Sequence, residues 1–97
     1  MAVGVILEWK FKPEVVDQAP AVVNKILETT RAFDGCIHID VLVDDEDPTR
    51  FLLVETWESL EHDAKYREFR AGPGKITEIP PMLAAPRVLT RYSVVDP

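Results

Sequence analysis

"CIHIDVLVDDEDPTRFLLVETW", residues 36–57, decides the fold. Two runs of β-branched and aromatic residues, 36–43 and 50–57, flank an Asp- and Pro-rich segment with turn chemistry, so the stretch predicts an antiparallel hairpin. Along the second run Phe51, Leu53, Glu55 and Trp57 point to one face, and Leu52, Val54 and Thr56 to the other. Both faces are largely apolar. A sheet with one solvated face alternates more cleanly, so this hairpin belongs to a sheet covered on both sides.

The flanking segments fit the same plan. "VGVILEWKF" (3–11) predicts a strand of the same two-faced kind, with Val3, Val5, Leu7, Trp9 and Phe11 opposite Gly4, Ile6, Glu8 and Lys10, closed by Pro13. Ala19, Val22, Val23, Ile26, Leu27, Thr30 and Phe33 recur at helical spacing; Asp17 can cap the start, Pro20 falls in the first turn and Gly35 follows the end. After the hairpin, Ser59 caps a second helix through about Arg70, and "AGPG" (71–74) breaks it. "KITEIPPMLAAP" (75–86) makes a short irregular helical piece around Pro80 and Pro81, and "RVLTRYSVV" (87–95) is a last strand. The order is βαββαβ, the α+β ferredoxin-like arrangement in which two helices cover one face of a four-stranded sheet. The other face needs a cover, and a second copy across a two-fold axis is the simplest one.

Ninety-seven residues support one core, and we expect a single domain over 1–97. The apolar share of 46% and charged share of 29% are those of a folding globular chain rather than a disordered one. No run approaches the roughly 18 apolar residues of a membrane span. "MAVGVILEWKFK" has neither a basic segment before its apolar stretch nor a small-residue cleavage site after it, so a cytoplasmic protein is expected. One cysteine cannot form an internal disulfide, which fits a reducing compartment. The net charge of -6 repels phosphate backbones, and the basic residues do not cluster along the chain. Nucleic acid and anionic membrane are therefore poor partners, and a small neutral or aromatic molecule remains open.

"FDGCIHIDVLVDDEDPTRFLLVETWES" (33–59) resembles the central hairpin of the antibiotic biosynthesis monooxygenase family, with "GC" opening the second strand, an Asp/Pro turn before "RF", and Glu-x-Trp-Glu ending the third. "PPMLAAPRVLTRYSVV" (80–95) resembles the segment that closes such domains. The resemblance implies a dimeric α/β barrel of two ferredoxin-like subunits. It also implies an enzyme that oxidises a phenolic, hydroquinone or polyketide-type aromatic with O2, using no metal, flavin or haem cofactor. Such chemistry is physically reasonable: a deprotonated polyphenol can itself pass an electron to O2, so the protein need only bind the ring, help remove the proton and exclude water. Where quinone-forming members carry asparagines, this chain has Glu8 and Leu53; where haem-degrading relatives use a tryptophan and a histidine, it has Tyr66 and Ile76. An isomerase or a non-catalytic small-ligand binder on the same barrel is therefore the alternative.

Among candidate residues, Cys36 and His38 share a strand face with Asp40, but they supply only half a zinc site, and a lone cysteine commonly fills space. Neither a metal nor thiol catalysis is expected there. "DDEDP" lacks the spacing of a calcium loop and reads as a solvated turn. His62, Tyr66 and Phe69 form one stripe of the second helix, and Trp57 ends its strand two residues before Ser59. The expected site is a pocket between sheet and helix in which Trp57 and Phe69 bind the ring while His62, Tyr66 and Glu8 act on the phenolic oxygens. An imidazole with a pKa of about 6.5 can take a phenolic proton at neutral pH. Trp57 reads equally as a core aromatic, and Glu8 equally as the partner of an arginine. A quarter turn of the helix would exchange His62 for Arg67.

Overall fold

A computed structural model describes residues 1–95. Its elements are strand β1 (Val3–Lys10), helix α1 (Ala19–Ala32), strands β2 (Cys36–Val43) and β3 (Arg50–Trp57), helix α2 (Leu60–Ala71) and strand β4 (Val88–Ser93). Short 3-10 turns at Val16–Gln18 and Pro80–Met82 precede α1 and β4. The four strands form one antiparallel sheet in the order β2-β3-β1-β4, so the ferredoxin-like βαββαβ expectation holds. No helix among the described residues is long and apolar enough to cross a membrane.

The two central strands have the two-faced character read from the sequence. Val3, Val5, Leu7 and Trp9 of β1 and Phe51, Leu53, Glu55 and Trp57 of β3 are buried, while the intervening residues of both strands are half-buried, except Arg50 at the exposed start of β3. The helices lie on the buried side. There Trp9, Phe11, Val23, Ile26, Leu27, Phe51, Leu53 and Ile79 make the main core, and Val3, Val5, Trp57 and Tyr66 make a second. On the opposite face Leu42, Val88 and Tyr92 are exposed around Ile6, Leu52 and Val54.

Three local expectations are corrected. Asp17 does not cap α1: it sits inside the 3-10 turn that runs directly into the helix, where the Ala19 N–H donates to Val16 O, so the turn provides the backbone acceptor a side-chain cap would have supplied. The last strand is Val88–Ser93 rather than 87–95; it is an edge strand paired only with β1, and Arg87 is left beside the helix layer. Finally, β2 carries a bulge between Cys36 and His38, with Cys36 opposite Trp57 and His38 opposite Thr56. The extra residue reverses the alternation. Cys36 therefore faces the core, while His38 lies on the open face, where it is hydrogen-bonded to Asp40 at 2.9 Å.

Candidate functional site

Helix α2 positions the site. The Ser59 side chain accepts from the His62 N–H and fixes the helix start, as the sequence predicts. From there Asp63, Tyr66, Arg67 and Arg70, spaced i, i+3, i+4 and i+7, form the inward stripe; Asp63 and Tyr66 are buried and both arginines largely so. The helix is rotated by the quarter turn that exchanges His62 for Arg67. What drives the rotation is the fully buried Glu55, the one carboxylate on the inner face of β3. A buried charge needs a partner. Arg67 donates to it and, at 3.0 Å, to Asp63; Arg91 donates to the other Asp63 oxygen at 2.6 Å, and Trp57 Nε1 donates to Glu55 Oε1 at 3.0 Å.

Beside this network Tyr66 packs against Phe33 and Trp57, with ring centroids 5.2 and 4.8 Å away. Its hydroxyl meets Thr30 Oγ1 at 2.6 Å and accepts from Arg70 Nε at 2.7 Å. Arg70 also donates to Gly74 O at 3.0 Å, Ile26 O at 3.1 Å and Thr30 Oγ1 at 3.0 Å. Gly74 makes this return tight: its N–H donates to Phe69 O, and a Cβ there would overlap the Phe69 ring. The chain then carries Lys75 and Ile76 back over the helix end.

The result is a cavity of about 300 Å3 lined by Trp9, Ala71, Ile76, Ile79, Pro80 and Leu83 and by four cations, Arg67, Arg70, Lys75 and Arg87. A narrower inward extension of about 40 Å3 reaches Leu53, Glu55 and Tyr66. The volume is at the lower end for small-molecule sites, enough for one or two fused rings. Basic residues spread over 67–87 in the sequence thus converge in space, which counting along the chain misses. The visible signals were Glu55 alone on an apolar strand face and the i,i+4 pair Asp63 and Arg67.

Of the expected site residues, only Tyr66 reaches this space, and it lines the inward extension rather than the main cavity. Trp57 is fully buried as a core aromatic, and Phe69 packs on Phe33 and Tyr66 outside the cavity. Glu8 is on the open face of the sheet, ion-paired with Arg50, because β1 alternates regularly and its inward positions are Leu7 and Trp9. His62 lies at the opposite end of α2, its ring seated over Gly35, whose φ of 88° and missing side chain leave room for it. Nδ1 is hydrogen-bonded to Ser59 Oγ at 2.7 Å; Nε2 lies 3.7 Å from Asp34 and 3.6 Å from Glu58. These three are the one set among the described residues that could hold a metal ion, and both acids are exposed. Burial, and next the charge of Glu55, push the Cys36 thiol above the ordinary value, which disfavours the thiolate.

The model of one protein family, antibiotic biosynthesis monooxygenase, matches residues 2–75. No curated protein matches the sequence. Among solved structures, Rv0793 from Mycobacterium tuberculosis is 22% identical and superposes with a TM-score of 0.81, covering 100% of this chain and 98% of its own. A candidate antibiotic biosynthesis monooxygenase from Nitrosomonas europaea is 22% identical, with a TM-score of 0.84 over 99% of this chain and 100% of that one. A conserved protein from Methanosarcina mazei Go1 is 24% identical, with a TM-score of 0.79 over 95% and 91%.

Proposed function

The chain belongs to the antibiotic biosynthesis monooxygenase family, and from that premise we propose that it oxidises a phenolic, hydroquinone or polyketide-type aromatic with O2, without metal, flavin or haem, in the cavity between α2 and the sheet. The observation that carries this proposal is the combination of an indole wall, Trp9, with four cations around one small apolar space. A bound phenol or enol there sits in a positive field that favours its anion. The proton leaves through the cavity mouth to solvent. The anion passes one electron to O2; the resulting radicals combine at carbon; the peroxide takes up a proton and loses water. For a ring CH2 the balance is CH2 plus O2 giving C=O plus H2O. Tyr66 acts here as a positioning residue, since its hydroxyl holds Arg70. A second copy of the chain on the open sheet face completes the barrel.

Leu53, apolar and buried beside the inward extension, favours a second reading, an isomerase or a non-catalytic binder on the same barrel. Oxygen uptake over a panel of hydroquinones and anthrones with metal chelated decides between them. Stoichiometric O2 consumption with a quinone or ketone product is the expected result; tight ligand binding with no uptake across the panel overturns it.

A further inference from the structure

The cations of the cavity are not equivalent. Arg67 is neutralised by Glu55 and Asp63. Arg70 uses four of its five N–H donors, and every acceptor is neutral: a phenol, a hydroxyl and two carbonyls. Its guanidinium lies 5.3 and 5.5 Å from the Tyr66 and Phe69 ring centroids, also uncharged. Lys75 and Arg87 form no ion pair among the described residues, and no Asp or Glu lines the main cavity. Three uncompensated positive charges thus surround one apolar space in a chain with seventeen acids to eleven bases. Like charges around a shared space repel, and neither Lys75 nor Arg87 has an acidic partner among the described residues to hold it there. A single phenolate brings one negative charge to three.

Resting on the oxygenase reading of the same cavity, we infer that the substrate is an aromatic acid: a ring on Trp9 whose carboxylate is held by Arg70, Lys75 and Arg87. Arg70 supplies a guanidinium immobilised before binding, so little ordering is lost on its side. Arg87, exposed at the mouth, supplies a free guanidinium fork that matches a planar carboxylate. Trp9 and the aliphatic lining take the ring, which leaves the reacting carbon toward the inward extension.

Calorimetric titration with 6-hydroxy-2-naphthoate and its uncharged isostere 6-hydroxy-2-naphthamide tests this without requiring turnover. The acid is expected to bind at least about tenfold more tightly, the factor one charge-assisted hydrogen bond supplies. The Lys75→Gln/Arg87→Gln double variant, altered only at exposed positions, is expected to remove most of that preference, read as the ratio of acid to amide affinity within each protein. Equal affinity for the two compounds, no heat from the acid at millimolar concentration, or an undiminished preference in the variant overturns the inference. Oxygen uptake separates it from the reading beneath it. A preference for the acid with no uptake from any phenol leaves the acid site standing and removes the oxygenase; equal turnover of matched acids and amides does the reverse.

Discussion

Tyr66 is where folding and the site meet in one side chain. It is 3% exposed, and its hydroxyl links Thr30 on α1 to Arg70 on α2. Removing the oxygen leaves an arginine donor without its acceptor in a partly buried place, which costs roughly 1–3 kcal/mol. Tyr66→Phe should therefore lower the urea midpoint and, with Arg70 less fixed, raise KM for an accepted substrate more than it lowers kcat. An unchanged KM would detach Tyr66 from the site. His62→Ala makes the opposite case: its ring lies over Gly35 at the end of α2 away from the cavity and its backbone N–H still meets Ser59, so turnover within about twofold of wild type is expected. A tenfold loss would return His62 to the chemistry. For Cys36, alkylation by iodoacetamide should reach half its limiting rate above pH 9.0, the ordinary thiol value, because burial and the Glu55 charge disfavour the thiolate.

At the scale of elements, the hairpin turn is more ordered than its acidic composition suggests. Asp47 binds Lys10 and accepts from the Thr49 hydroxyl and N–H, and these contacts lower its carboxyl from 3.8 to about 2. A carboxyl lowered in the folded state adds stability above its unfolded value, and that share is lost as pH falls from about 4 through 2. The urea midpoint of the wild type should drop across that window by more than that of Asp47→Asn; parallel declines would show that the turn contacts contribute nothing. Strand and helix order was legible because apolar periodicity and turn chemistry agreed at nearly every boundary. What misled were features that single-segment patterns do not carry. The bulge between Cys36 and His38 separates two residues that regular alternation would place together. The rotation of α2 is set by Glu55, on another strand, pulling Arg67 inward. The cavity depends on the loop 72–87, whose cations are distant along the chain and adjacent only once Gly74 and the Pro80–Met82 turn fold it back.

The whole molecule leaves one face of its sheet without a cover from the described chain. Ile6, Leu52 and Val54 lie at its centre, Leu42, Val88 and Tyr92 are exposed at 48%, 52% and 53%, and Glu8, Arg50 and Asp44 form a charged edge. At roughly 25 cal/mol per Å2 of apolar surface, covering that face would add stability to a chain of only 11.0 kDa. A two-fold partner would bury the same patch twice and let Glu8 and Arg50 close the rim, giving an interface with an apolar core and a polar edge. Light scattering at micromolar concentration should give about twice the mass of the chain. Leu52→Glu, a charge in the middle of the patch and away from the cavity, should shift the mass to 11.0 kDa and lower the thermal midpoint while leaving the secondary structure seen by circular dichroism in place. Wild-type protein that runs as a monomer at every concentration would remove the second copy, and some other cover for Leu52 and Val54 would then have to be found.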